Sequence, residues 1–175
     1  MAKEQVLLTR YIRAIPDWPK KGILFRDITP LLADPRAFPA AIDALCQPFQ
    51  NAGVAYVAGI EARGFIFGAA VAAQLKAGFV PIRKKGKLPY LTESASYDLE
   101  YGTDSIEMHR DAIPRGAKVL LVDDLLATGG TMQAACRLME KVGAEIVGIA
   151  FVIELTALQG RKKLAAHKVH ALISY

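Results

Sequence analysis

The stretch of residues 119–131 constrains the fold of this chain more than any other. Residues 118–122 form an apolar run that predicts a buried strand, and Asp123 and Asp124 follow at its carboxyl end. Small residues and two glycines come next, and residues 132–142 have the spacing of a helix that Gly143 ends. A buried strand that passes through a short loop into a helix is typical of a parallel α/β sheet.

The rest of the chain repeats this alternation of strand and helix. Further strands are predicted at 56–60, 79–82, 146–153 and 169–173. Helices are predicted at 6–15, from Asp34 and Pro35 towards Gln50, and at 65–76 with closure near Gly78. We therefore expect one α/β domain over residues 1–175, with a parallel central sheet, flanking helices and right-handed crossovers.

Residues 88–108 differ from the rest of the chain because they are polar and lack helical periodicity. Gly102 is the expected hairpin turn within this segment. Segments of about twenty residues with this character are often functional flaps.

The loop after the acidic pair is suited to a phosphate group. Consecutive backbone N–H groups, the glycines and the positive end of a helix dipole favour an anion there, and two hydroxyls add donors. The predicted phosphate-binding residues are Ala127, Thr128, Gly129, Gly130 and Thr131.

The acidic pair suits a sugar, because carboxylate oxygens accept hydrogen bonds from neighbouring ribose hydroxyls. Asp123 and Asp124 together with the loop therefore predict a ribose 5-phosphate site. The loop is not a Walker loop, since no Gly-Lys-Ser/Thr sequence ends it, and no G-x-G-x-x-G dinucleotide motif occurs.

Charge and composition narrow the class of ligand. The net charge is +5, and one basic cluster lies at residues 83–87. This excess favours phosphorylated small molecules, because no nucleic-acid-binding motif accompanies it. No apolar run is long enough to cross a bilayer. The two cysteines, Cys46 and Cys136, have no metal-ligand spacing, which predicts free thiols and a cytoplasmic protein.

The sequence Val-Asp-Asp-Leu-Leu-Ala-Thr-Gly-Gly-Thr at 122–131 resembles the phosphoribosyl pyrophosphate motif of the phosphoribosyltransferases. Four further motifs extend the resemblance to the adenine-specific members of that family. They are Phe-Arg-Asp-Ile-Thr-Pro at 25–30, Glu-Ala-Arg-Gly-Phe at 61–65, Arg-Lys-Lys-Gly-Lys-Leu-Pro at 83–89 and Tyr-Asp-Leu-Glu-Tyr-Gly at 97–102.

The resemblance implies a type I phosphoribosyltransferase fold, in which residues 1–34 carry a small base-recognition element and residues 88–108 form a flexible hood. It implies Glu100 as the catalytic residue, exchanging a proton with N7 of adenine. Beyond the acidic pair and the loop, it assigns phosphoribosyl pyrophosphate to Glu61, Ala62, Arg63, Arg83, Lys84, Lys87 and Tyr101. Adenine is assigned to Leu24, Phe25, Arg26 and Leu125.

The resemblance further implies a cis peptide between Glu61 and Ala62, Mg²⁺ held mainly by substrate and water, and a homodimer. The expected reaction joins adenine to the phosphoribosyl group, giving AMP and pyrophosphate in purine salvage. Two alternatives stay open: an enzyme for another purine base, and a regulator that binds phosphoribosyl pyrophosphate as an effector. No partner nucleic acid or membrane is expected.

Overall fold

The computed structural model of the chain describes residues 7–98 and 102–175. These residues divide into two compact units, Met1–Ala44 and Leu45–Tyr175. The expectation of a single domain over the whole chain stays a prediction.

The first unit is built on a two-stranded antiparallel sheet. Its elements are a 3-10 turn at Leu8–Tyr11, β1 at Arg13–Pro16, β2 at Leu24–Asp27 and the short helix α1 at Thr29–Ala33. The helix predicted over residues 6–15 is therefore wrong. Arg13 lies opposite Asp27 and Pro16 opposite Leu24, so cross-strand pairing overrides the helical spacing of the apolar side chains.

Asp34 caps the start of the next helix, as its sequence position predicts, but the helix itself begins at Ala37 and not at Pro35. Its Oδ1 atom accepts the backbone N–H groups of Arg36 at 2.9 Å and Ala37 at 2.8 Å. These bonds satisfy two of the donors that a helix start leaves unpaired. Helix α2 spans Ala37–Cys46 and gives way to a 3-10 turn at Gln47–Phe49, which contains Pro48.

The second unit is a seven-stranded sheet in the order β5-β6-β4-β3-β7-β8-β9. Its strands are β3 Tyr56–Ile60, β4 Gly78–Lys84, β5 Thr92–Asp98, β6 Thr103–His109, β7 Lys118–Leu126, β8 Glu145–Glu154 and β9 Val169–Ser174. Five of them pair in parallel, which confirms the predicted α/β sheet. The two strands of the hood, β5 and β6, are antiparallel and extend the sheet beyond β4.

Two helices connect parallel strands of this sheet. Helix α3, at Gly64–Leu75, joins β3 to β4, and α4, at Gly130–Val142, joins β7 to β8. Gly143 ends α4 in the left-handed conformation as predicted. Closure of α3 near Gly78 was wrong, because Lys76 takes the left-handed C-terminal position at φ 57°. Strand β7 also runs four residues further than predicted and includes the acidic pair.

The core of the second unit lies where α4 and the sheet meet. Met132, Leu138 and Met139 of α4 are buried in one apolar cluster with Leu121 and Phe151 of the sheet. Burial of such side chains is the main favourable contribution to stability. Within the described residues, no helix combines the length and apolar character needed to span a membrane.

A close contact between Gly148 of β8 and Phe49 predicts a site of overpacking. A Cβ atom on Gly148 would overlap Cε1 of Phe49 and lie 2.9 Å from Cζ. The ring is 1% exposed and has Lys168 Nζ 5.2 Å from its centroid, so it has little room to move. We expect Gly148→Ala to lower the free energy of unfolding by about 1–3 kcal/mol, measured by chemical denaturation.

The double variant Gly148→Ala/Phe49→Leu is the matched control. Because leucine leaves space where the ring stood, the double variant should lose less stability than the sum of the two single variants. If the stability losses of the two single variants simply add in the double variant, the Phe49 ring is not what excludes a larger residue at position 148.

Candidate functional site

The candidate site lies where three neighbouring strands end together. In the parallel register Gly59 of β3 lies opposite Val122 of β7, and Ile60 lies opposite Ile82 of β4. The residues that follow on these strands are Glu61, Arg83 and Asp123. Continued by one or two residues, this register places Asp124 level with Glu61 and Arg83, and Asp123 one residue earlier, at the carboxyl edge of the sheet, where ligands bind in open α/β folds.

Asp123 and Asp124 bring two carboxylates into a poorly hydrated place. Asp124 is 5% exposed, and its backbone N–H donates to Oδ1 of Asp123 at 2.9 Å. Burial, followed by the charge of Asp124, raises the pKa of Asp123 well above its ordinary value. Burial also raises the pKa of Asp124, although the guanidinium of Arg63 opposes that rise. The pair therefore concentrates carboxylate oxygens, which are hydrogen-bond acceptors when ionised, at this edge of the sheet.

Arg63 stands beside this pair at the start of α3. Its Nε lies 2.9 Å from Oδ2 of Asp124 and forms an ion pair with it. The buried Oδ2 atom nevertheless has no hydrogen-bond donor, because the pair is not aligned as a hydrogen bond. Gly64, the first residue of α3, allows this approach, because a Cβ there would lie 2.7 Å from Oδ1 of Asp123. The carboxylate pair and the start of α3 therefore fit together only with glycine at position 64.

The loop from β7 to α4 lines a small cavity of about 80 Å³. Its wall includes Asp123 together with Leu125, Ala127, Thr128, Gly129, Gly130 and Thr131. Gly129, at φ 79°, is the N-cap of α4 and makes no capping bond through a side chain. The first N–H groups of α4 thus have no side-chain cap, the arrangement that binds anions at helix N-termini.

The backbone of Gly160 packs directly behind this loop, and Gly160 was not among the predicted site residues. A Cβ on Gly160 would overlap the carbonyl oxygen of Ala127 and lie 2.9 Å from the backbone nitrogen of Gly129. A Cβ on Gly129 would in turn lie 2.5 Å from the carbonyl oxygen of Gly160. The two backbones touch directly, so the 3-10 helix at Gly160–Leu164 fixes the depth of the loop.

Glu61 and Arg83 form the second part of the site. Glu61 accepts hydrogen bonds from Arg83 Nε at 3.3 Å and Nη2 at 3.2 Å, and from the backbone N–H of Lys84 at 3.0 Å. The bonds from Arg83 hold the pKa of Glu61 below its ordinary value. The peptide between Glu61 and Ala62 is cis, which confirms that expectation. Glu61 is thus an anchor for Arg83.

The residues 83–88, which we call the basic turn, are held by carboxylates. Lys84 Nζ lies 3.0 Å from Oδ2 of Asp104, and Arg83 Nη1 donates to the carbonyl of Lys87 at 3.1 Å. Glu107 of β6 accepts three backbone N–H groups of the same turn. Glu107 was not among the predicted site residues, although a charged residue between the apolar Ile106 and Met108 is a signal in the sequence.

The hood is attached to helix α4 as well as to β4. Arg137 donates to the carbonyl of Ser96, and Lys141 donates to the carbonyl of Ser94, both on β5. Glu100 and Tyr101, which lie between β5 and β6 in the sequence, are outside the described residues. Their predicted roles therefore stay predictions.

The first unit holds the residues predicted to recognise the base. Phe25 packs edge-on against Trp18 with ring centroids 4.4 Å apart, Leu24 is 48% exposed, and Arg26 is half-buried. Asp27 accepts the backbone N–H of Thr29 at 2.9 Å and its hydroxyl at 2.8 Å, which orders the turn directly after them. Within residues 7–98 and 102–175, no group of three or more His, Cys, Asp or Glu could hold a metal ion.

Comparison with known proteins assigns this arrangement to a family. The family model described as phosphoribosyl transferase domain matches residues 29–172. Adenine phosphoribosyltransferase of Methylobacterium radiotolerans is 60% identical over 163 residues, covering 93% of this chain and 90% of that protein. The crystal structure of adenine phosphoribosyltransferase from Rhodothermus marinus has a TM-score of 0.92 at 56% identity and covers 96% of both chains.

A more distant crystal structure shares the same fold. The adenine phosphoribosyltransferase of Saccharomyces cerevisiae, solved with D-2,5-dideoxy-2,5-imino-altritol 1,6-bisphosphate and adenine, has a TM-score of 0.90 at 42% identity. The alignment covers 94% of this chain and 96% of the yeast chain. The type I phosphoribosyltransferase fold predicted from the sequence is thereby confirmed, and the chain belongs to the adenine phosphoribosyltransferase family.

Proposed function

We propose that this chain transfers the 5-phosphoribosyl group from phosphoribosyl pyrophosphate to adenine, giving AMP and pyrophosphate in purine salvage. The observation that carries the proposal is the adjacent pair of half-buried Asp123 and buried Asp124, shortly before a helix start that has no side-chain cap. A sugar diol on the carboxylates and a phosphate on the loop describe one ligand, ribose 5-phosphate.

The sugar and its 5-phosphate occupy the β7–α4 part of the site. Asp123 and Asp124 accept hydrogen bonds from the two ribose hydroxyls, one of which supplies the donor that the buried Oδ2 of Asp124 lacks. The backbone N–H groups and hydroxyls of the loop bind the phosphate dianion at the positive end of α4. The proposed phosphate ligands are Ala127, Thr128, Gly129, Gly130 and Thr131.

The leaving pyrophosphate occupies the basic side of the site. Arg63, Arg83, Lys84 and Lys87 supply charge-assisted hydrogen bonds to its oxygens, and Glu61 and Ala62 contribute through the loop that carries them. We propose Mg²⁺ as cofactor, supplying further positive charge to the pyrophosphate. We propose that substrate oxygens and water would hold this ion.

Transfer breaks the bond between ribose C1 and pyrophosphate and forms a bond from C1 to a nitrogen of adenine. Glu100 exchanges a proton with N7 of the base, so that the attacking nitrogen becomes a better nucleophile. Tyr101, the next residue of the hood, contacts phosphoribosyl pyrophosphate. The hood excludes water, which would otherwise hydrolyse the activated ribose.

For adenine we propose contacts from Leu24, Phe25, Arg26 and Leu125. The exposed side chain of Leu24 and the ring of Phe25 offer apolar surface to a planar base. The adenine bound in the yeast relative supports this choice of base over other purines.

We further propose that the chain forms a homodimer, in which part of the basic turn reaches the neighbouring subunit's site. We place the protein in the cytoplasm. The support is that Cys46 and Cys136, the two cysteines of the chain, are both free and buried.

A pyrophosphate-release assay tests the reaction and the base together. With Mg²⁺ and phosphoribosyl pyrophosphate present, we expect release with adenine, and release at least about 100-fold slower with guanine, hypoxanthine or xanthine, because the pocket's polar groups would be mispaired. Turnover of a different base would contradict the proposed base-recognition residues. Binding of phosphoribosyl pyrophosphate without turnover of any base would favour the regulator.

The variant Glu100→Gln tests the proposed proton transfer. We expect kcat to fall by about 10²–10⁴-fold because the amide cannot exchange the proton, while the Kd of phosphoribosyl pyrophosphate changes little. Rapid-quench kinetics and calorimetry give the two values. Glu93→Gln, in the same hood and ion-paired with Arg110, is the control. Unchanged turnover in Glu100→Gln would remove this residue from the mechanism.

The variant Asp123→Asn tests the electrostatic character of the acidic pair. Since the folded-state pKa of Asp123 is raised, its ionised form destabilises the fold at neutral pH, and this effect disappears as the pH falls towards the ordinary value of 3.8. We expect the variant to raise Tm by a few degrees at pH 7 and to weaken binding of ribose 5-phosphate.

The gain in Tm should shrink on acidification, which a series of thermal melts between pH 7 and pH 4 would detect. A variant that is less stable at pH 7 would contradict the raised pKa. Asp104→Asn is the contrasting control, because the bond from Lys84 lowers the pKa of Asp104 and its loss should destabilise the fold.

A further inference from the structure

We propose that Glu107 is a positioning residue for pyrophosphate binding, acting through the backbone of the basic turn. This inference rests on the proposed function and concerns how the same site is held ready. The carboxylate of Glu107 lies behind the turn and reaches the backbone, so it acts on the position of the cationic side chains without touching the ligand.

Three successive backbone N–H groups converge on one oxygen of Glu107. Oε1 accepts from Gly86 at 3.0 Å, from Lys87 at 3.2 Å and from Leu88 at 3.3 Å. Successive N–H groups that surround an anion form a recognised concave binding motif of the backbone. Gly86, at φ 81°, supplies the left-handed conformation that curves this turn around the carboxylate.

Because Glu107 is buried, its hydrogen bonds to the basic turn are needed to stabilise its carboxylate. The residue is 5% exposed, and a buried carboxylate is costly unless its oxygens are hydrogen-bonded. Its second oxygen, Oε2, lies 3.4 Å from the hydroxyl of Thr92, the first residue of β5. One carboxylate thus connects the basic turn with the first strand of the hood.

Lys87 is the residue that this arrangement positions most directly. Its N–H donates to Glu107, and its carbonyl accepts from Nη1 of Arg83. Arg83 is in turn held by Glu61. Both sides of Lys87 are therefore anchored, one through Glu107 and the other through Arg83.

The remaining cations of the turn have anchors of their own. Arg83 is paired with Glu61, and Lys84 is paired with Asp104. Loss of Glu107 would therefore leave these two side chains in place and would leave the backbone N–H groups of residues 86–88 without their shared acceptor. The defect expected from that loss is selective for the ligand that Lys87 binds.

The variant Glu107→Ala is expected to raise the KM of phosphoribosyl pyrophosphate and the Kd of pyrophosphate by about ten-fold or more, since bonds to a charged acceptor are among the stronger ones. The KM of adenine and kcat at saturation should change by less than about three-fold. Glu107→Gln keeps Oε1 as an acceptor without the charge, and its pyrophosphate Kd should rise about three-fold, between wild type and Glu107→Ala.

A double-mutant cycle with Lys87 separates positioning from a general loss of structure. If Glu107 acts through Lys87, Glu107→Ala should add less than about two-fold to the pyrophosphate Kd of Lys87→Ala. Independent, multiplying effects would overturn the proposal. Glu93→Ala on the neighbouring strand β5 is the control and should leave pyrophosphate binding unchanged.

Wild-type protein decides the proposed function separately. If wild type neither binds pyrophosphate nor turns over adenine, the proposed function fails before Glu107 is tested. If wild type is active and Glu107→Ala has an unchanged pyrophosphate Kd, or an equal rise in the KM of adenine, the positioning role is refuted. Should Glu107→Ala fail to fold, an unchanged pyrophosphate Kd in Glu107→Gln would refute it equally.

Discussion

Two adjacent carboxylates on β7, Asp123 and Asp124, place like charges side by side where burial limits their contact with water. Asp124 is nearly inaccessible, and burial raises the pKa of both groups. The protein offsets this repulsion only in part, with the guanidinium of Arg63. The hydroxyls of a bound sugar would donate hydrogen bonds to these carboxylates. They would relieve the unfavourable electrostatic energy of the pair, which would contribute to the affinity for a diol.

On the other side of the site, the basic turn is held in place by acidic residues. A site for a polyanion needs cations, yet flexible cationic side chains lose much conformational entropy when a ligand orders them. In this protein Glu61 holds Arg83, Asp104 holds Lys84, and Glu107 holds the backbone beneath Lys87. Acidic residues behind the basic ones thus order the turn before the ligand arrives.

Sequence reasoning predicted what lies close together along the chain. The acidic pair, the loop and the start of α4 are contiguous, so their chemistry could be read directly from residues 123–131. Gly160 and Glu107 were missed because their partners lie about twenty to thirty residues away, and only the fold brings them together. The helix expected over residues 6–15 failed for the same reason, since pairing with β2 decides the conformation of Arg13–Pro16. The assignments to the tip of the hood and to the base pocket depend on family resemblance, because neither has a local pattern that specifies a ligand.

The contact between Gly160 and the β7–α4 loop has a consequence for how this motif can be moved between proteins. The ten residues 122–131 carry the proposed donors and acceptors for ribose 5-phosphate, but the backbone that packs behind their loop belongs to the chain after β8. A graft of those ten residues into another parallel sheet would transfer the binding groups without the Gly160 backbone contact that supports their loop. The smallest segment that could be transferred with its support therefore runs from β7 through the 3-10 helix at Gly160–Leu164. This segment is a βαβ unit together with the backbone that packs behind its loop.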